Sequence, residues 1–184
     1  MATLFTERRL IHSFRNRSVV YSNRANVDNG TFMTRVDLEF GSSGAIGLKT
    51  IINLQSLARL KDKAIYAKEY TAVVEKLMGH YRAVNEHIAA FDETIEWLRT
   101  SDRWFHGSTI VGHNPLFIHG SRSATEVRID IFSRNSSGLN LGFELTKPDH
   151  LKYGIARLTE LRECLVGYRD QFMAIDINDA VAII

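Results

Sequence analysis

The residues best equipped for chemistry in this chain are its arginines. Residues 1–35 hold Arg8, Arg9, Arg15, Arg17, Arg24 and Arg35 against only Glu7 and Asp28, so this stretch is strongly cationic in a chain whose formal net charge is +2. A guanidinium keeps its charge, matches phosphate oxygens with a planar fork and stacks on bases. In "SFRNRSVVYSNR", Arg15, Arg17, Val19 and Tyr21 share one strand parity, and Phe14 and Arg24 share the other. Arginines beside aromatic rings on an open antiparallel sheet can grip a single strand, with the charges tracking the backbone and the rings stacking on bases. The candidate contacts are therefore Arg15, Arg17, Tyr21, Arg24 and Arg35, extended in the second half by Arg122 and Arg128. The competing reading makes the arginines a solvated strand face and Tyr21 a core residue.

Other chemistries have less to work with. His106, His113 and His119 are spaced seven and six apart with no cysteine near them, which matches no common zinc arrangement. Cys164 sits on the apolar side of a helical pattern, where a small packed side chain is the commoner role. There is no phosphate-binding glycine loop, no His-Glu-x-x-His and no nucleophile elbow. No cofactor and no metal are expected. One enzymatic arrangement remains, on Asp130, Glu144 and Lys147. Residues 84–183 read as helix, three strands, helix and strand, an order that resembles the core of the PD-(D/E)xK nucleases. That resemblance implies a Mg²⁺ site on the two acids with a lysine orienting water. The departure is that Lys147 follows Glu144 by three residues, not two, and so falls on the other strand face.

These residues must be positioned by strands and helices, and the sequence writes the same elements twice. "EKLMGHYR" (75–82) returns as "ECLVGYR" (163–169). Upstream, "RVDLEFGSSGAIGL" (35–48) matches "EVRIDIFSRNSSGLNLGF" (126–143), and "SVVYSNRAN" (18–26) matches "STIVGHNPL" (108–116). Each half reads as strand, turn, strand, Ser-Ser-Gly turn, strand, helix. Val36, Leu38 and Phe40, and again Val127, Ile129 and Ile131, alternate with polar residues, which predicts strands with one buried face. Tyr70, Val74, Leu77, Tyr81, Val84, Ile88, Phe91, Ile95 and Leu98 recur at steps of four and three, a heptad seam on one long helix. A shorter seam in the C-terminal helix includes Leu165 and Tyr168. Gly79 and Gly167 interrupt these helices at a cost of about 1 kcal/mol each, which predicts a close helix crossing built from Leu77, Gly79, Tyr81, Leu165, Gly167 and Tyr168. Thr146, and Asn53 or Ser56, are the expected helix caps. The stretch "EHIAAFDETIEWLR" overhangs a small sheet and is expected to reach a second subunit. The apolar tail "MAIDINDAVAII" is expected to pack, as a final strand or as a docking peptide.

The expected fold is α+β: two tandem antiparallel sheet-then-helix repeats, residues 1–100 and 101–184, related by a pseudo-twofold axis with the long heptad-patterned helix at the centre. At 45% hydrophobic and 24% charged, the composition is that of a globular protein. No membrane-length apolar run occurs, no secretory leader is recognisable, and the single cysteine fits a reducing cytoplasm.

This arrangement of two sheet-and-helix units resembles the Whirly and mitochondrial RNA-binding-protein architecture. The segment "LGFELTKPDHLKYGIARL" is similar to the last-strand-to-helix passage of the related transcriptional-coactivator single-strand binders. The resemblance implies single-stranded DNA or RNA bound across the sheets, and a homo-oligomer. The Lys-Gly-Lys strand motif of Whirly proteins is absent, so no residues carry over. The leading reading is a non-enzymatic single-strand binder. The alternative is a protein-interaction module (inhibitor, adaptor or assembly subunit) docking through the 70–98 helix or the C-terminal tail. The Mg²⁺ nuclease is third.

Overall fold

The computed structural model describes residues 1–12, 18–40, 45–100, 104–108, 116–133 and 136–184. The fold is α+β. Strands β1 (Ala2–His12), β2 (Ser18–Asp28), β3 (Thr31–Glu39) and β4 (Ala45–Asn53) pair in that order as an antiparallel sheet. A short helix α1 (Gln55–Arg59) and a long helix α2 (Lys63–Thr100) follow. Strands β5 (Trp104–Ser108), β6 (Leu116–Arg122), β7 (Glu126–Ser133) and β8 (Ser136–Glu144) form a second antiparallel sheet, again in chain order. Helices α3 (Pro148–Met173) and α4 (Ile177–Ala182) end the chain.

Each half thus has one strand more than the periodicity showed. In β1, "ATLFTERRLIH", the residues on both faces are mixed in polarity, so alternation is faint. The match of 108–116 to 18–26 falls almost entirely outside the described residues. The second strand of the second sheet begins at Leu116, and residues 109–115 lie outside the described residues.

Local chemistry fixes the connections. Asn29 and Gly30 both take positive φ, 47° and 74°, the conformation a two-residue hairpin between right-twisted strands needs. Asn53 Oδ1 accepts from Gln55 N at 2.9 Å as α1 begins. Asp62 Oδ1 accepts from Ala64 N at 2.8 Å and opens α2. At α3 the cap is Lys147, without a side-chain hydrogen bond, and not Thr146; Pro148 occupies the first turn, where its missing N–H costs nothing. The tail is neither a strand nor a free peptide. Asp176 accepts from Asn178 N at 2.8 Å and caps α4, which buries Ile177 and Ala180.

One hydrophobic core joins both sheets to both long helices. It takes Val19, Tyr21, Val36 and Leu38 from the first sheet, Ile118, Val127, Ile129 and Phe143 from the second, Val84, Ile88 and Phe91 from α2, and Leu158, Leu165 and Phe172 from α3. Burying each large side chain stabilises by about 1.5–3 kcal/mol. A second cluster gathers Ala25, Val27, Phe32, Ile52, Leu54, Leu57 and Val73 around Ile177 and Ala180.

The C-terminal end of α2 does not reach outward. Ile88, Phe91, Ile95, Trp97 and Leu98 are buried, and Trp97 lies so close over Gly120 of β6 that a Cβ there would collide with the indole. The recurring turn is not a glycine crossing either: a Cβ at Gly79 or Gly167 would meet nothing within 4 Å. Leu77 packs on the second cluster whereas Leu165 lies in the main core, so the two leucines are not partners. The turns meet through a polar pair one residue further on. His80 Nε2 and the Tyr168 hydroxyl are 2.6 Å apart, and the same hydroxyl is 2.8 Å from Thr34 Oγ1 of β3. Tyr81 contributes a ring edge-on to Phe172, with centroids 6.5 Å apart. Along the antiparallel helices, Arg169 Nη1 donates to Asn85 Oδ1 at 3.0 Å and Arg162 Nε to Asp92 Oδ1 at 2.9 Å.

Candidate nucleic-acid interface

The parity of β2 decides which of its residues can meet a ligand. Val19, Tyr21, Asn23, Ala25 and Val27 all face the core. Tyr21 is 1% exposed, its hydroxyl accepts from Asn23 Nδ2 at 2.6 Å, and burial pushes its pKa up. It is a core tyrosine and cannot stack on a base. Arg15 and Arg17, with Phe14, lie outside the described residues. The outer face of β2 is the other parity, which carries Ser22, Arg24 and Asn26.

Strand pairing then assembles what the sequence kept apart. Thr6 pairs with Arg24, Arg24 with Arg35, and Arg35 with Lys49, giving one row across all four strands. The neighbouring row runs Arg8, Ser22, Asp37, Gly47. Neighbouring strands lie about 4.8 Å apart, so four cations share a patch only a few residues wide. Arg35 is ion-paired with Asp37, whose hydrogen bond raises the guanidinium pKa. Asp37 can lie flat on the sheet because Gly47 leaves room beneath it. Arg8, Arg24 and Lys49 are exposed and engage no acid among the described residues. Arg8, Arg24 and Arg35, with the acids Glu7, Asp37 and Glu39 and the polar Thr6, Ser22 and Asn23, line an open cleft of about 320 Å³. Like charges directly opposite on a sheet are destabilising, so an anion over this row would relieve a repulsion already present in the free protein.

Arg8 and Lys49 were not singled out from the sequence. The signal that could have found them is strand register, because Lys49 becomes a neighbour of Arg35 only once β3 and β4 are paired.

The second sheet presents a different outer face. Arg128 is exposed there between Ser121 and Gly142. Phe117 and Phe132 stack with centroids 5.3 Å apart, and Phe132 is 38% exposed. Arg122 does not join them. It pairs with the buried Val127 at the end of β6, on the inner parity.

The acids of the nuclease reading are not brought together. Asp130 pairs across the sheet with Asn140, whose Nδ2 donates to it at 2.5 Å. Glu144 pairs with Glu126 at the other end of the strands and is tied to Lys147 Nζ at 2.8 Å. Four residues of strand separate the two sites, about 13 Å. Among the described residues no three His, Cys, Asp or Glu side chains are grouped to hold a metal ion. Burial pushes the Cys164 thiol up to about 11, which leaves it protonated and unreactive at neutral pH. No helix among the described residues is long and apolar enough to cross a membrane.

No family model matches the chain, and neither a curated protein nor a solved structure matches it.

Proposed function

We propose that this chain binds single-stranded DNA or RNA across the outer face of its first sheet and catalyses no reaction on it. The observation that carries the reading is the row Thr6, Arg24, Arg35, Lys49, where three cations stand side by side and only Arg35 has an acid of its own. A chain of phosphates laid across the strands would neutralise the row and release its counterions. The stacked Phe117 and Phe132, with exposed Arg128, supply ring faces of the kind on which unpaired bases stack. The order of four strands then a long helix in each half supports reading the halves as copies of one unit, in the manner of the Whirly-like architecture. A reducing, cytoplasmic setting is consistent with the single buried cysteine.

Fluorescence anisotropy of a labelled oligonucleotide at low salt tests the reading. The wild-type chain should bind, with affinity falling steeply as salt rises. The double variant Arg24→Ala/Lys49→Ala should bind about tenfold more weakly or worse, for all sequences alike. Its salt dependence should fall by about 1.4 in the log–log slope, 0.7 for each lost phosphate contact on a single strand. Absence of wild-type binding at low salt refutes the proposal.

A further inference from the structure

The second sheet brings together four polar residues that lie far apart in the sequence. His106 of β5 pairs with His119 of β6, His119 with Asp130 of β7, and Asp130 with Asn140 of β8. They form one row across all four strands. The row belongs to the outer face, because Ile118, Ile129 and Leu141 on the alternate parity are buried. Directly opposite residues of an antiparallel pair share a face, with Cβ atoms about 4.5–5.5 Å apart.

We propose that this row is a binding site for a divalent transition-metal ion of the zinc class, held by His106, His119 and Asp130.

Two of the ligands already stand close to the required positions. Asp130 Oδ2 lies 3.9 Å from His119 Nδ1, too long for a hydrogen bond, and both side chains are about one-third exposed, so an ion can reach them. Two ligands of one zinc ion, each about 2.0–2.1 Å from it, stand about 3.3 Å apart at a tetrahedral angle. A small side-chain rotation therefore seats an ion between them. The carboxylate is already oriented. Its other oxygen accepts from Asn140 Nδ2 at 2.5 Å, in the way that ligating carboxylates are held by an outer hydrogen bond. His106 supplies the third ligand from its register position opposite His119. Imidazole with carboxylate suits zinc and its neighbours among the divalent metals, and three protein ligands leave a fourth position for water. Because β5 is an edge strand, the ion would tie it to the two strands inside it. The next outward row carries the stacked Phe117 and Phe132. On the other side, Arg128 is the neighbouring outward residue of β7, and its charge holds the affinity down. The spacing of the histidines along the chain fits no zinc motif because strand pairing, not sequence separation, makes this site.

Isothermal titration of the untagged chain with Zn²⁺ near neutral pH tests this. The wild type should bind one ion with a dissociation constant in the micromolar range. His106→Ala, His119→Ala and Asp130→Asn should each weaken binding by about a hundredfold, and Asn140→Ala by about tenfold. Arg128→Ala should tighten it severalfold. His150→Ala, which changes a histidine of α3 away from this row, should leave it unchanged. Excess Zn²⁺ should raise the melting temperature of the wild type but not that of His119→Ala. Absence of one-to-one binding by the wild type, an affinity indifferent to the three ligand substitutions, an equal loss in His150→Ala, or thermal stabilisation that survives in His119→Ala would each overturn the proposal.

Discussion

Helix α3 meets the rest of the molecule in two different ways. At its N-terminal end Gly154 is buried, and a Cβ there would run into the ring of Phe143, itself fully buried on β8. Nearer its C-terminal end, at the turn that recurs in α2, the contact is polar, and Gly167 with its counterpart Gly79 faces open space. The first is a close approach that only glycine permits. The second is a hydrogen-bonded link among His80, Tyr168 and Thr34 that ties α2, α3 and β3 together. A glycine inside a helix therefore marks a contact only where something lies over it, and a recurring motif need not place its function on its most conspicuous residue.

The largest expected effect breaks the polar contact through pH. Burial holds the His80 and His87 pKa values down to about 4; the nearby His87 lowers His80 further, while the hydrogen bond to Ala83 O partly offsets the burial of His87. Between about pH 4 and 6.5 the unfolded chain then binds protons that the folded chain excludes, so stability rises with pH across that window and falls on acidification. Going from pH 7 to pH 5 should cost about 2 kcal/mol per histidine, roughly 4 kcal/mol in all. Denaturant melts at both values measure it. His80→Gln should remove about half of the difference, and a flat profile in the wild type would contradict the buried, neutral assignment.

A smaller effect breaks the apolar contact. Gly154→Ala gains about 1 kcal/mol of helix propensity but forces a packed ring aside, which costs more. A net loss of about 2 kcal/mol is expected in thermal or urea unfolding, independent of pH between 5 and 7. If the loss instead tracked pH, the two contacts would not be separable.

These contrasts also bound what could be read from the residues alone. The α+β class and five of the eight strands follow from period-two alternation, as Val127, Ile129 and Ile131 illustrate. The long helix follows from its seam. Strand β1 was hidden because Glu7 and Arg9 stand on its inner parity beside Phe5 and Ile11, so neither face reads as apolar. The arginine surface is legible in composition, and Arg24 and Arg35 do stand on the outer face; Tyr21, grouped with them, belongs to the core. Val19 and Tyr21 suit an aromatic binding face and a core equally well, and only the packing of α3 decides between them. The cationic row needed strand register, which short-range pattern does not carry. His80 escaped notice for a related reason: it is a lone polar residue on a core-facing position, and its partner lies 88 residues away.

The smallest effect sharpens the comparison, and it is a gain. If Gly79 and Gly167 lie over nothing, alanine at either removes the backbone-entropy cost of glycine in a helix without a steric charge against it. Each substitution should stabilise by up to about 1 kcal/mol, raising the melting temperature by a few degrees, with the two increments additive. Alanine at Gly154 must go the other way. A destabilising Gly79→Ala would mean that another chain or ligand presses on that face after all, and the close crossing would then be intermolecular.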